Sequence, residues 1–417
     1  MTRDLSGKTI ALADPLWVGH HPMYFSEFVA AFLRLGAFVI GLCPDPSEAM
    51  RTSLEKNPFP DIHKRCSMHH LPTGTRSWFG GRFEGDPLRT FQRWQRVASA
   101  LRQAEQKSGH RADLVFFPYL DSYLRFLPFP SVPRITLNRP WSGLYLRNHH
   151  HGSPASTKSY LRRLAKGDAL IRSRLCRGIG VLDERFIGPM EQYTGRAVRG
   201  FPDITDAALP DRASPLAEAI RDKAAGRKII GLIGLERRKG LLNLFRVAKL
   251  AREAQLPWYF ACAGRFDPAE YSTKERAELD RIARHAASGE IDNVHFDPSA
   301  GRIPAEVDFN SVFRTFDVAW AAYEGFEGSS GTLGKAAAFD IPCLASRGEC
   351  IGQRIESYRT GLTIPQGNSS EALEAIQRIL AHRDWNDRPL IGDYERFRRD
   401  HGQARLDAVL LELLGRV

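Results

Sequence analysis

Short apolar runs alternate with amphipathic stretches along the chain, and the alternation occurs in two series. In the first, KTIALAD reads as a buried strand. HPMYFSEFVAAFLRLG follows as a helix with apolar residues at i, i+3, i+4 spacing, closed by Gly36. AFVIGLC is the next strand, and a polar, Gly/Pro-rich section covers 44–90. A basic helix around TFQRWQRVASALRQAEQKSG comes next, then ADLVFFPYL, PRITLNR and CRGIGVLD as three further strands. The second series begins with KIIGLIG as a strand, GLLNLFRVAKLAREA as a helix and WYFACAG as a strand. A charged helix from Ser272 to Ala287 and the strands NVHFDP, DVAWAAY, IPCLAS and GLTIP continue it, with helices SSGTLGKAAAF and SEALEAIQRILAHR among them.

Strand–helix alternation with short connections predicts an α/β fold: two Rossmann-like, doubly wound parallel sheets in series. The expected organisation is an N-terminal domain over 1–202, a linker with a surface helix over 203–227 and a second domain over 228–390. A long helical pattern over 391–417 has no strand after it and can run back to brace the first domain.

A length of 417 residues suits two or three cores rather than one. No run of eighteen apolar residues exists, and the first apolar stretch is too short to be a secretion signal, being broken by Asp14 and Pro15. Six cysteines without a Cys-x-x-Cys pair read as reduced core residues of a cytoplasmic protein. Charge adds an asymmetry: residues 1–200 hold 29 Lys and Arg against 16 Asp and Glu, whereas 201–417 hold 30 against 32. The positive excess therefore lies in the first half and points to an anionic partner there, or to a solubilising face. The segment 148–178 is the most basic stretch, and with RWQRVASALRQ it could lie along an anionic membrane surface. No zinc finger, aromatic RNA-binding motif or basic zipper supports nucleic acid as the partner.

Candidate chemistry gathers at strand-to-helix turns, since ligands of such sheets bind at the carboxyl ends of the strands. Gly19, His20 and His21 stand at the first turn, in neither a dinucleotide fingerprint nor a Walker loop. The turn Gly234-Leu235-Glu236-Arg237-Arg238-Lys239-Gly240 sets three cations at a helix start, an arrangement that can cancel a diphosphate's charge. GFEGSSGTLGKAAAFDIPCLAS places Glu324 and Glu327 beside Ser329, Ser330, Gly331 and Thr332, where a helix N-terminus offers backbone donors. A plain basic turn and a plain N-cap are the alternatives for these two stretches. Adjacent histidines at 20–21, 69–70 and 149–151 lack the spacing of a metal site, so no metal is expected. Asn138 and Arg139, read as lying just past a strand end, could shape an acceptor pocket.

The order of these pieces over 228–366 resembles the retaining GT-B glycosyltransferases of family 4, with a weaker, collinear likeness over 8–205 in GHHPMYFSEFVAAFLRLGAFV and FPDITD. The resemblance implies a GT-B architecture, two Rossmann-like domains facing a central cleft. A nucleotide-diphosphate sugar would be the donor, gripped by the second domain, and no cofactor would be needed. It further implies that Lys239 binds the donor diphosphate. Leu235 stands where the family has an arginine, so Arg238 or Arg237 would substitute. The family's two glutamates fall on Glu327 and, eight residues later, on Lys335, where a lysine can donate but not accept. Glu327 would orient the sugar, with Glu324 as the alternative. Arg238, Lys239 and the 330–332 turn would stabilise the leaving diphosphate, and Gly234 and Lys335 would join the donor site. The acceptor would be a glycan, glycolipid or lipid-linked molecule, handled by a cytoplasmic enzyme that can sit peripherally on the membrane. A nucleotide-sugar epimerase or hydrolase of the same shape, or a relative that has lost activity, are the other readings.

Overall fold

The computed structural model describes residues 4–18, 21–56, 61–74, 87–124, 129–146, 168–303 and 305–414. It divides into two compact units, one comprising 1–202 with 403–417 and the other 203–402. Each is built on one all-parallel sheet.

The first sheet has seven strands: β1 (Thr9–Ala13), β2 (Phe38–Cys43), β3 (Cys66–His70), β4 (Leu114–Phe117), β5 (Trp141–Tyr145), β6 (Cys176–Val181) and β7 (Val198–Gly200). They lie in the order β3-β2-β1-β4-β5-β6-β7. The second has six, in the order β10-β9-β8-β11-β12-β13. These are β8 (Lys228–Ile233), β9 (Trp258–Ala263), β10 (Val294–Phe296), β11 (Val318–Ala321), β12 (Cys343–Ser346) and β13 (Gly361–Ile364). Central strands such as β1 and β9 are buried along their whole length, which is why they read as continuous apolar runs rather than alternating ones. The expected pair of Rossmann-like, doubly wound sheets is what the chain forms.

Several elements differ from expectation. PRITLNR is not a strand: Pro133 sits in the first turn of a short helix, Val132–Thr136, and the strand comes afterwards at β5. Proline has no amide to give a sheet but suits the start of a helix. The polar section 44–90 contains a helix, Pro46–Lys56, and the edge strand β3. FPDITD lies beyond the last strand of the first unit, β7. The stretch 203–227 belongs to the second unit, where the helix Pro215–Ala224 buries Ala217, Ile220 and Ala224. The C-terminal pattern is two helices: Tyr394–Asp400 in the second unit and Gln403–Leu414 in the first.

That last helix explains the near-total burial of the helix His21–Arg34. One side of His21–Arg34 faces the sheet, with Phe28 packed 4.7 Å from Phe116 and 6.0 Å from Phe201. Gln403–Leu414 packs against it, joined by a two-pronged Arg34–Asp407 ion pair at 2.8 and 2.9 Å. All six cysteines are buried, and none is in a disulfide. Among the described residues no helix is long and apolar enough to cross a membrane.

Truncating Phe28 to alanine should lower the stability of the first unit by about 3–5 kcal/mol, the usual cost of emptying a buried aromatic site. Denaturant unfolding followed by tryptophan fluorescence would measure it, and a loss under about 1 kcal/mol would contradict this packing.

Candidate functional site

In a doubly wound sheet the strand order reverses once, and the loops leaving the two strands at the reversal diverge to open a crevice at their carboxyl ends. In the second sheet the reversal falls between β8 and β11. The turn 234–240 leaves β8 and the loop 322–330 leaves β11, so the two candidate stretches start side by side.

Two glycines close the first turn. Gly234 has a φ of 84°, and a Cβ there would lie 2.2 Å from Lys239 Nζ. Gly240 has a φ of 77°, and a Cβ there would lie 2.6 Å from the Ala322 carbonyl oxygen. The turn is thereby pressed against the end of β11. The Trp320 indole donates to the Lys239 carbonyl at 3.1 Å, and the Glu324 amide donates to the Arg238 carbonyl at 2.7 Å.

Tyr323, which sequence reasoning did not single out, joins the two stretches. Its hydroxyl bonds Ser330 Oγ at 2.9 Å and Thr332 Oγ1 at 2.8 Å. Lys239 Nζ lies 6.0 Å and the Arg238 guanidinium 5.9 Å from its ring centroid. Arg238 also stacks over Phe326 at 4.6 Å. Ser330 caps the helix Gly331–Ala338, its Oγ accepting from the Thr332 amide at 3.2 Å. Lys239, Arg238 and the 330–332 turn thus surround one aromatic ring, in the arrangement of backbone donors and cations that suits a phosphate. Glu324 and the exposed Gly331 and Glu327 lie on the same loop and helix start. The signal that could have found Tyr323 is its place: the second residue after β11, at the reversal point.

The three cations are not three free charges. Arg237 is turned to Glu275, 2.9 Å away, and that pairing, with bonds from Ser272, pulls the Glu275 carboxyl down to about 2. Lys239 donates to the Ile233 carbonyl at 2.9 Å and pairs with Glu236 at 3.1 Å. Burial pushes the Glu236 carboxyl up, but Lys239 and Arg238 together hold it below its ordinary value. Leu235 is fully buried in the core, its carbonyl accepting from the Tyr271 hydroxyl at 2.7 Å.

Two expected donor-site residues have other partners. The Lys335 ammonium, on the buried face of its helix, donates to the Asp206 carbonyl, to Glu306 and, at 2.6 Å, to Asn310 Oδ1. An ammonium has three N–H groups, and three internal acceptors occupy them. Lys335 is therefore a structural residue here, a correction to its expected contact with a phosphate or hydroxyl. Ser329 Oγ bonds Asp203 and accepts from the buried Arg354 at 2.7 Å. The Asp203 amide in turn donates to His401 Nδ1 at 3.2 Å.

In the first unit the reversal falls between β1 and β4. His21 stands there with Nδ1 2.9 Å from both oxygens of Asp14, a fully buried carboxylate that also accepts from the Leu16 amide at 3.0 Å. The His21 ring stacks on Tyr119 with centroids 3.8 Å apart. Burial raises the Asp14 pKa, and His21 works against that rise. Gly19, His20 and residues 148–167 of the basic segment 148–178 lie outside the described residues. Asn138 and Arg139 do not lie at a carboxyl edge: they precede β5, with Asn138 in a left-handed turn at φ 48° and Arg139 3.5 Å from Glu105. The expectation placed them there because it took 133–139 for a strand.

Residues 227–382 match the family model "Glycosyl transferases group 1". No curated protein matches the chain in sequence. Among solved structures, the fold is similar to sucrose-phosphate synthase from Thermosynechococcus elongatus at 19% identity, with a TM-score of 0.61 over 97% of this chain and 98% of that one. HepE from Anabaena, solved with UDP and glucose, is similar at 15% identity and TM-score 0.59, over 98% of this chain and 100% of that one. The UDP-forming trehalose-phosphate synthase from Burkholderia xenovorans is similar at 15% identity and TM-score 0.59, over 98% of each chain. The family match thus lies within the second unit, and the likeness to the solved structures is one of fold, two parallel-sheet Rossmann-like domains.

Two outcomes follow from the polar clusters. Lys335→Glu, which sets a glutamate where the family that the sequence resembles carries one, should cost about 3 kcal/mol by setting a carboxylate against Glu306 and Asn310, the figure sitting low because Glu306 is half exposed. Burial, reinforced by Arg354, lowers the His401 pKa to about 3, so the folded protein keeps this ring neutral while the unfolded chain protonates it near pH 6.5. Its contribution is complete above that pH and is lost as pH falls toward 3. Unfolding midpoints measured between pH 8 and pH 4 should fall less steeply in His401→Gln than in the parent.

Proposed function

We propose that the protein is a retaining, metal-independent glycosyltransferase that moves a sugar from a nucleotide-diphosphate sugar to a glycan, glycolipid or lipid-linked acceptor. The observation that carries this reading is the convergence of Lys239, Arg238 and the Ser330–Thr332 turn on Tyr323 at the reversal point of the second sheet. The structures of HepE with UDP and with UDP-glucose support a uridine nucleotide as the first donor to try.

In this reading the diphosphate displaces Glu236 as the anionic partner of Lys239. Negative charge grows on the departing diphosphate in the transition state, and Lys239, Arg238 and the amides of the 330–332 turn are fixed in advance where that charge appears. Glu327 accepts from hydroxyls of the transferred sugar. The phosphate oxygen that leaves takes the acceptor's proton on the same face, so the configuration is retained. His21, its Nδ1 held by Asp14, is the first unit's candidate to meet an acceptor hydroxyl. With Lys335 committed to Glu306 and Asn310, the ribose is held by other groups than in the family's common mode. That same commitment favours, as a second reading, a relative that binds a nucleotide without turning it over.

The test is UDP binding by thermal shift, followed by donor turnover over a panel of UDP- and GDP-sugars. UDP should raise the melting temperature of the parent by mass action. Lys239→Gln should weaken UDP about 10- to 100-fold, the worth of one charge-assisted hydrogen bond. Glu236→Gln should tighten it, since the competing carboxylate is gone. Binding without turnover of any donor would select the second reading, and UDP affinity unchanged in Lys239→Gln would remove both.

A further inference from the structure

The outermost strand of the first sheet, β3, has no strand beyond it among the described residues. A groove of about 440 Å³ lies between it and the helix Pro87–Ser108, within the size range of small-ligand sites. From the strand side it is lined by Met68, His69, His70 and Pro72, and from the helix by Arg96, Ser99, Gln103 and Lys107. The helix residues recur at i, i+3, i+7 and i+11, one face of an α-helix, and that face carries two of the helix's cations, Arg96 and Lys107, while Arg93 turns to the Ser122 carbonyl.

The lining decides the ligand. Arg96 and Lys107 bring positive charge, no carboxylate is among the lining residues, and neither cation has an ion pair among the described residues. Arg96 reaches only the Pro72 carbonyl, at 3.4 Å. His69 Nε2 is shielded from water and has no hydrogen-bond partner. Burial, with Lys107 nearby, lowers the pKa of this imidazole, so at neutral pH it offers a hydrogen bond rather than a charge. Eleven residues along a helix separate the two cations by roughly 16 Å, too far to clasp one phosphate and suited to a chain with spaced charges. Between them Ser99 and Gln103 offer hydrogen-bonding groups to hydroxyls.

We propose that this groove is a binding site for an acidic oligosaccharide, with carboxylate-bearing sugars reaching Arg96 and Lys107. The ligand class is argued from the groove alone; only its use as a grip on the acceptor rests on the transferase reading. An acidic peptide is the competing occupant, because the free edge of β3 could pair with a strand, but the side-chain donors along the helix favour hydroxyls.

Calorimetric titration of the full chain, at low salt with UDP present, distinguishes these. A hyaluronan tetrasaccharide should bind, and maltotetraose, the uncharged comparator, should bind at least about tenfold more weakly. The double variant Arg96→Gln with Lys107→Gln should lose about tenfold or more in affinity for the acidic chain while its thermal shift with UDP, which also reports folding, stays at the parent's value. No binding of the acidic chain by the parent, equal binding of both sugars, an unaffected double variant, or tighter binding of tetraglutamate would each overturn the proposal. UDP binding fails or succeeds independently, so the fate of the donor-site reading is read separately.

Discussion

The second unit's candidate site hangs on the Tyr323 hydroxyl. A phenol at the end of a buried strand must find hydrogen-bond partners, and this one finds Ser330 and Thr332 across the loop. Those two bonds fix the start of the helix Gly331–Ala338 against β11. The face of the same ring meets Arg238 and Lys239 from the neighbouring turn. One backbone bond, from the Glu324 amide to the Arg238 carbonyl, locks the two loops at their roots. Donors from two strands separated in sequence by some ninety residues are thereby held in one place before any ligand arrives, which is the requirement for electrostatic preorganisation.

Counter-charges temper that preorganisation. Glu236 and Glu275 each hold one cation of the turn, so the site does not carry three bare positive charges. An anion entering it gains less from Lys239 than Coulomb's law alone would give, because a bond to Glu236 is exchanged rather than made. Under the proposed function, selection of a phosphate would then come from geometry as much as from charge.

Much of this was legible in the chain. Buried parallel strands announce themselves as unbroken apolar runs, and the Gly-x5-Gly turn and the Ser-Ser-Gly-Thr helix start lie where the pattern put them. What was not legible has physical causes. A short helix opened by Pro133 carries the same apolar residues as a strand, and mistaking it moved Asn138 and Arg139 to the wrong edge of the sheet. Lys335 looked available because a sequence shows a charge but not its partners; Glu306, Asn310 and the Asp206 carbonyl come from two other segments. Asp14 is an ordinary acidic residue on paper, and only the fold reveals that it is buried and aimed at His21.

The helix Gln403–Leu414 has a consequence for how the molecule is made. It completes the first unit by covering the helix His21–Arg34, yet some two hundred residues of the other unit are synthesised before it. A ribosome delivers the second unit whole while the first still lacks a wall. The first unit is therefore the one that waits, its aromatic flank sealed by a helix made some two hundred residues later.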